Sequence, residues 1–173
     1  MKRVVIAAVV CAIASASQAQ PKLSRAVQQG FDHGFVTCAP ALDQMVKFVN
    51  ENDDDYAYLG VWSVKDPDKS AFDTVTSTKD VSGNVITTFS AVPNRAGSCD
   101  VTFTMIVNSI ERTCAQLRDT TFKDWKFYDD MAGPAVYEIS NDIGEDVILS
   151  PIPSGGCLIV RHYVGYGPRT DQK

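Results

Sequence analysis

Histidine is scarce in this chain, with 2 residues in 173, and the short signatures that mark most catalytic and metal centres are missing. There is no H-E-x-x-H pair for zinc, no C-x-x-C, no Walker loop, no G-x-G-x-x-G after a strand and no G-x-S-x-G elbow. The pair Gly155-Gly156 precedes a strand-like run rather than a helix, so it is turn punctuation and not a phosphate cradle. These absences argue against a metal site or a cofactor, and none is expected. Positive charge is also in short supply, at 16 Lys and Arg against 21 Asp and Glu, a net charge of −5. Nucleic acid and anionic lipid both need a concentrated basic face, so neither is expected as the main partner. A basic protein, a neutral sugar, a peptide or a small ligand stays open. Long apolar runs are confined to Val4 to about Ala14, which falls short of the roughly 20 residues that span a bilayer. No membrane span is expected.

What the N-terminus does contain is a leader pattern. Lys2 and Arg3 precede the apolar run, and the small residues Ser15-Ala16-Ser17-Gln18-Ala19 follow it. Those three parts make a secretory signal peptide over residues 1–19, cleaved after Ala19. A lipoprotein reading of Cys11 is the weaker one, because the preceding position holds Val10 where that processing needs a small residue. Removing the leader discards Cys11, Lys2 and Arg3, leaving a more acidic chain with Cys38, Cys99, Cys114 and Cys157. An even cysteine count in a periplasmic or secreted protein is read as two disulfides, with three possible connectivities.

Residues 20–37 show no sustained period and are expected to form a loosely held arm. A first helix follows the Cys38 to Pro40 turn, since Leu42, Met45, Val46 and Val49 recur at the spacing of one helical face. The period then changes to two over Tyr58 to Val64, Ala71 to Thr78, Val85 to Val92 and Cys99 to Val107, with turn residues between. A second helix is expected up to Phe122, with a capping box from Thr113 to Gln116. Strands return over Trp125 to Tyr128, Ala135 to Ser140, Asp146 to Leu149 and Cys157 to Val164, and residues 165–173 read as a frayed tail. The expected fold class is α+β: an antiparallel sheet with two helices packed on one face, in the order α-β4-α-β4, as one domain over residues 38–164. Each half then carries one cysteine at its helix and one on a later strand, which favours Cys38 with Cys99 and Cys114 with Cys157. Joining Cys99 to Cys114 is disfavoured, because a strand of about eight residues at 3.3 Å each separates them.

Three features invite a functional reading, each beside a plainer one. Asn50 to Asp55 is the densest acidic stretch, but a calcium loop needs glycine and glutamate where Asp55 and Val61 stand, so a solvated turn is the better reading. His33 follows Asp32, and His162 lies between Arg161 and Tyr163; neither has a defensible catalytic partner in sequence. Tyr56, Tyr58 and Trp62 share one side of the first strand, where they form either a ligand or partner surface or core against the helices. Together these readings suggest an exported, non-catalytic binding protein of the inhibitor, immunity or envelope-associated type. The alternative is a small exported hydrolase whose site is assembled around His33 or His162.

Overall fold

The structure is a computed structural model and describes residues 22–50, 55–80, 83–139, 144–153 and 155–167. The expected signal peptide with Cys11, most of the acidic stretch and the end of the C-terminal tail therefore lie outside the described residues. Three helices, α1 (Arg25–Asp32), α2 (Ala39–Val49) and α3 (Cys114–Thr120), accompany eight strands. The strands are β1 (Ala57–Trp62), β2 (Phe72–Asp80), β3 (Gly83–Pro93), β4 (Cys99–Ser109), β5 (Lys126–Asp130), β6 (Ala135–Glu138), β7 (Glu145–Pro151) and β8 (Cys157–Gly165). All eight form one antiparallel sheet in the order β1-β2-β3-β4-β8-β7-β6-β5. It is a mixed α+β fold dominated by its sheet.

The expected helix count is corrected by α1, which falls inside the stretch read as a loose arm. Its buried face is made of Ala26, Val27 and Gly30, small residues whose amphipathic pattern is confined to an 8-residue helix that is polar overall. A Cβ at Gly30 would lie 2.4 Å from the Phe72 ring, so the glycine is what lets the helix approach the sheet. Asp43 of α2 secures this packing by accepting the Ser24 backbone N–H at 2.6 Å and the Lys47 ammonium at 2.6 Å. A further short 3-10 turn over Pro67–Lys69 occupies the expected β1–β2 turn.

Strand register explains how the core is placed. One inward row runs across the sheet through Gly60, Thr74, Phe89, Phe103, Tyr163 and Glu145, each paired with the next. The next runs through Tyr58, Thr76, Thr87, Met105, Arg161, Val147 and Tyr137. Helices α1 and α2 cover the first half, where Val27, Leu42, Val46, Phe72, Phe89 and Phe103 form one buried cluster. Helix α3 covers the other half, where Leu117, Phe122, Val147, Leu149 and Ile159 form a second. Both clusters occupy the same side of the sheet, because their strand residues share these rows and the neighbouring Val107–Ile159–Leu149 row.

The chain order repeats about the central β4–β8 pair. Cys38 precedes α2 and joins Cys99 at the start of β4, with Cα atoms 5.5 Å apart. Cys114 opens α3 and joins Cys157 at the start of β8, with Cα atoms 5.0 Å apart. These are the pairings favoured from sequence, and each staples a helix to its own half. Closing loops of 61 and 43 residues reduces the entropy of the unfolded chain by about 4 kcal/mol each in the loop-closure account.

Candidate functional site

The two halves are covered unequally, and the difference leaves a cleft. Against the 8 residues of α1 and 11 of α2 on the first half, the second has only the 7 residues of α3. The end of β7 and β8 that carries Glu145, Arg161 and Tyr163 lies between the two covers. There a cleft of about 410 Å³ opens between α2 and the sheet. Its wall is Ala41, Gln44, Met45 and Phe48 of α2, which fall at helical spacing on one face. Its floor is Val101, Phe103 and Tyr163, and Glu145 closes one end. The volume lies within the range of small-molecule sites, which are mostly apolar with a few placed polar groups.

Helix α2 serves both the core and the cleft because its apolar surface is wider than one contact requires. Leu42 and Val46 are fully buried, whereas Phe48, on a different face of the helix, is 70 % exposed. The floor is rigid by construction: Phe103 and Tyr163 are cross-strand partners with rings stacked at 5.6 Å. Such pairs add about 0.5–1.5 kcal/mol to the burial of the rings themselves.

At the end of the cleft stands the most buried ion pair among the described residues. Glu145 is 6 % exposed, and Arg161 reaches it diagonally across the β7–β8 ladder. The guanidinium Nε donates to Glu145 Oε1 at 2.7 Å, and Nη2 donates to the same oxygen. A buried charge left alone is strongly unfavourable, so each member requires the other. Gly144 positions the carboxylate: it has φ +72°, and a Cβ there would come within 2.7 Å of the Val164 carbonyl oxygen. The chain can therefore turn into β7 tightly against β8 only with glycine at this point.

Of the residues singled out in sequence, Tyr56, Tyr58 and Trp62 all pack in or against the first core cluster, with Tyr56 beside Tyr58 and Trp62 apart from them, and none lines the cleft. Tyr56 is buried and sits edge-on to Tyr58 at 6.2 Å, while the Arg25 guanidinium covers the Tyr58 ring at 5.3 Å. Trp62 stacks on Phe72 at 6.0 Å, and the gap at Gly60 is occupied by the Gln29 carboxamide and Phe72. All three contribute to the first core cluster. His33 caps α1, contacts the Gln29 carbonyl through Nδ1 at 2.8 Å and packs on Trp62 at 4.6 Å. His162 projects from the opposite sheet face, between its register partners Thr104 and Asp146. The structure does not bring the two histidines together, and neither lines the cleft. No cluster of three or more metal-ligating side chains occurs among the described residues. No described helix is long and apolar enough to cross a membrane.

The sequence reading missed Glu145, Arg161 and the cleft face of α2. The alternation Glu145, Val147, Leu149 was the available signal, since it places an acid on the same face as two core residues. Starting that strand at Asp146 hid it. Comparison of the chain with protein-family models, with curated proteins and with solved structures gives no match.

Proposed function

We propose that this protein is an exported binding protein that holds a small, largely apolar ligand in the cleft beneath α2. The observation that carries this reading is the aromatic wall and floor. Phe48 stands exposed on the helix opposite a stacked Phe103–Tyr163 pair, and the space between holds about 410 Å³. Burying that surface is favourable at roughly 25 cal/mol per Å². The lining supports binding rather than turnover: apart from Gln44, Tyr163 and a carboxylate already engaged by Arg161, it is apolar. Two disulfides and the leader pattern support export to the periplasm or beyond the cell. A concave cleft of this size favours a small ligand over a basic protein as the partner.

The test is a fluorescence titration of the oxidised protein with N-phenyl-1-naphthylamine, a neutral apolar dye. Saturable enhancement is expected, and Ala41→Phe, which fills the cleft from a helix position outside the buried core, is expected to abolish it without lowering the melting temperature. Dye binding that is absent, or identical in the variant, would overturn this assignment.

A further inference from the structure

The charge arrangement at the closed end specifies what head group the ligand carries. Both guanidinium contacts from Arg161 go to Glu145 Oε1, and no donor among the described residues reaches Oε2. Glu145 itself lines the cleft and is only 6 % exposed. The cleft thus presents a buried carboxylate with one oxygen satisfied and one still able to accept. Because Arg161 already balances its charge, an ammonium head brought to this end meets no net negative charge to offset its desolvation in an apolar cleft. An anionic head meets the carboxylate. A neutral O–H or N–H meets an acceptor and no opposing charge.

We propose that the cleft recognises an uncharged, lipid-like molecule whose apolar chain lies between Phe48 and the Phe103–Tyr163 floor and whose hydroxyl or amide N–H donates to Glu145 Oε2. The proposal rests on the cleft being a binding site, and it adds the chemical class of the ligand. A hydrogen bond to a charged acceptor contributes more than a neutral one, enough for about a tenfold preference over a ligand lacking the donor. Gln44, at the exposed side of the same wall, and Tyr163 are the other residues of the lining with polar groups.

Competition against bound N-phenyl-1-naphthylamine by four probes built on a ten-carbon chain tests it: 1-decanol, its methyl ether 1-methoxydecane, decylamine and decanoate. The alcohol is expected to displace the dye at about one-tenth of the ether concentration, with both charged probes weaker than the alcohol. Equal potency of alcohol and ether, or a charged probe outcompeting the alcohol, would overturn the head-group assignment while leaving the cleft as a binding site. Failure of the dye itself to bind would remove both. In the double variant Glu145→Leu with Arg161→Met, which replaces the pair by apolar groups of similar size, the alcohol is expected to lose its preference over the ether. A retained tenfold preference there would place the acceptor elsewhere. If that variant does not fold, the four-probe series on the unaltered protein still decides.

Discussion

At the scale of single residues, the most consequential polar side chain outside the cleft is Asp68. Its carboxylate accepts the Val36 N–H at 2.8 Å, the Thr37 N–H at 2.6 Å and the Thr37 hydroxyl at 2.7 Å, tying the segment between α1 and α2 to the 3-10 turn. Burial pushes this carboxyl up, but the Thr37 backbone N–H, the Thr37 hydroxyl and the Val36 N–H together hold it below its ordinary value. A carboxyl lowered in the folded state makes the unfolded chain bind more protons in acid, so its contribution to stability rises with pH. That contribution is complete above about pH 4, where a free aspartate is ionised. It is lost as pH falls through the lower folded value. Asp68→Asn is therefore expected to cost about 1 kcal/mol at pH 7, with the deficit shrinking toward zero under strongly acid conditions. Urea denaturation of both proteins at pH 7 and in that acid range measures the difference; a gap independent of pH would assign the residue a role in shape rather than charge.

At the scale of elements, α3 shows how much local chemistry the sequence made legible. Thr113 accepts the Gln116 N–H at 3.2 Å, and the Gln116 side chain accepts the Thr113 N–H at 2.9 Å, the reciprocal pair expected from the spacing of the two residues. A helix of 7 residues has little intrinsic stability, so it depends on this cap, the Cys114–Cys157 bridge and the buried Leu117. Thr113→Ala is expected to lower stability by about 1 kcal/mol, seen as a lower denaturant midpoint at unchanged slope. No change would mean that the disulfide and Leu117 alone hold the helix. The strands were equally readable, because their period-two alternation comes from a sheet with one covered face. Helix α1 was not, for its inward side is only the small residues Ala26, Val27 and Gly30 of an 8-residue helix, with a glycine at the point of contact with Phe72. The cleft was illegible for a related reason: its lining comes from α2, β4, β7 and β8, and its existence depends on what fails to cover them. Only the exposed Phe48 and the inward Glu145 were local traces of it, and each looks ordinary until the register is known.

At the scale of the whole molecule, two separate core clusters are built on one uninterrupted sheet, and these features make opposite demands on unfolding. Separate clusters, each with its own disulfide, favour independent transitions. The β4–β8 ladder opposes that, because it runs without a break from the Val101–Gly165 pair to the Ser109–Cys157 pair. Residues of those two strands also belong to both cores: Phe103 and Tyr163 pack with the first, Val107 and Ile159 with the second. Melting either half would expose the inner face of a strand that the other half still uses, so the cost is shared and the transition should be cooperative. The two tryptophans allow this to be read directly, since Trp62 packs on the first cluster and Trp125 on the second. In Trp62→Phe the remaining signal reports the second half, and in Trp125→Phe it reports the first. Each reporter curve is expected to coincide with the loss of far-ultraviolet circular dichroism in the same variant, with both disulfides intact. Phenylalanine keeps the ring contacts with Phe72 and Phe122, so neither change is expected to exceed about 1.5 kcal/mol. A fluorescence transition displaced from the dichroism transition in either variant would show that the central ladder does not couple the halves, so that one can unfold while the other stays folded.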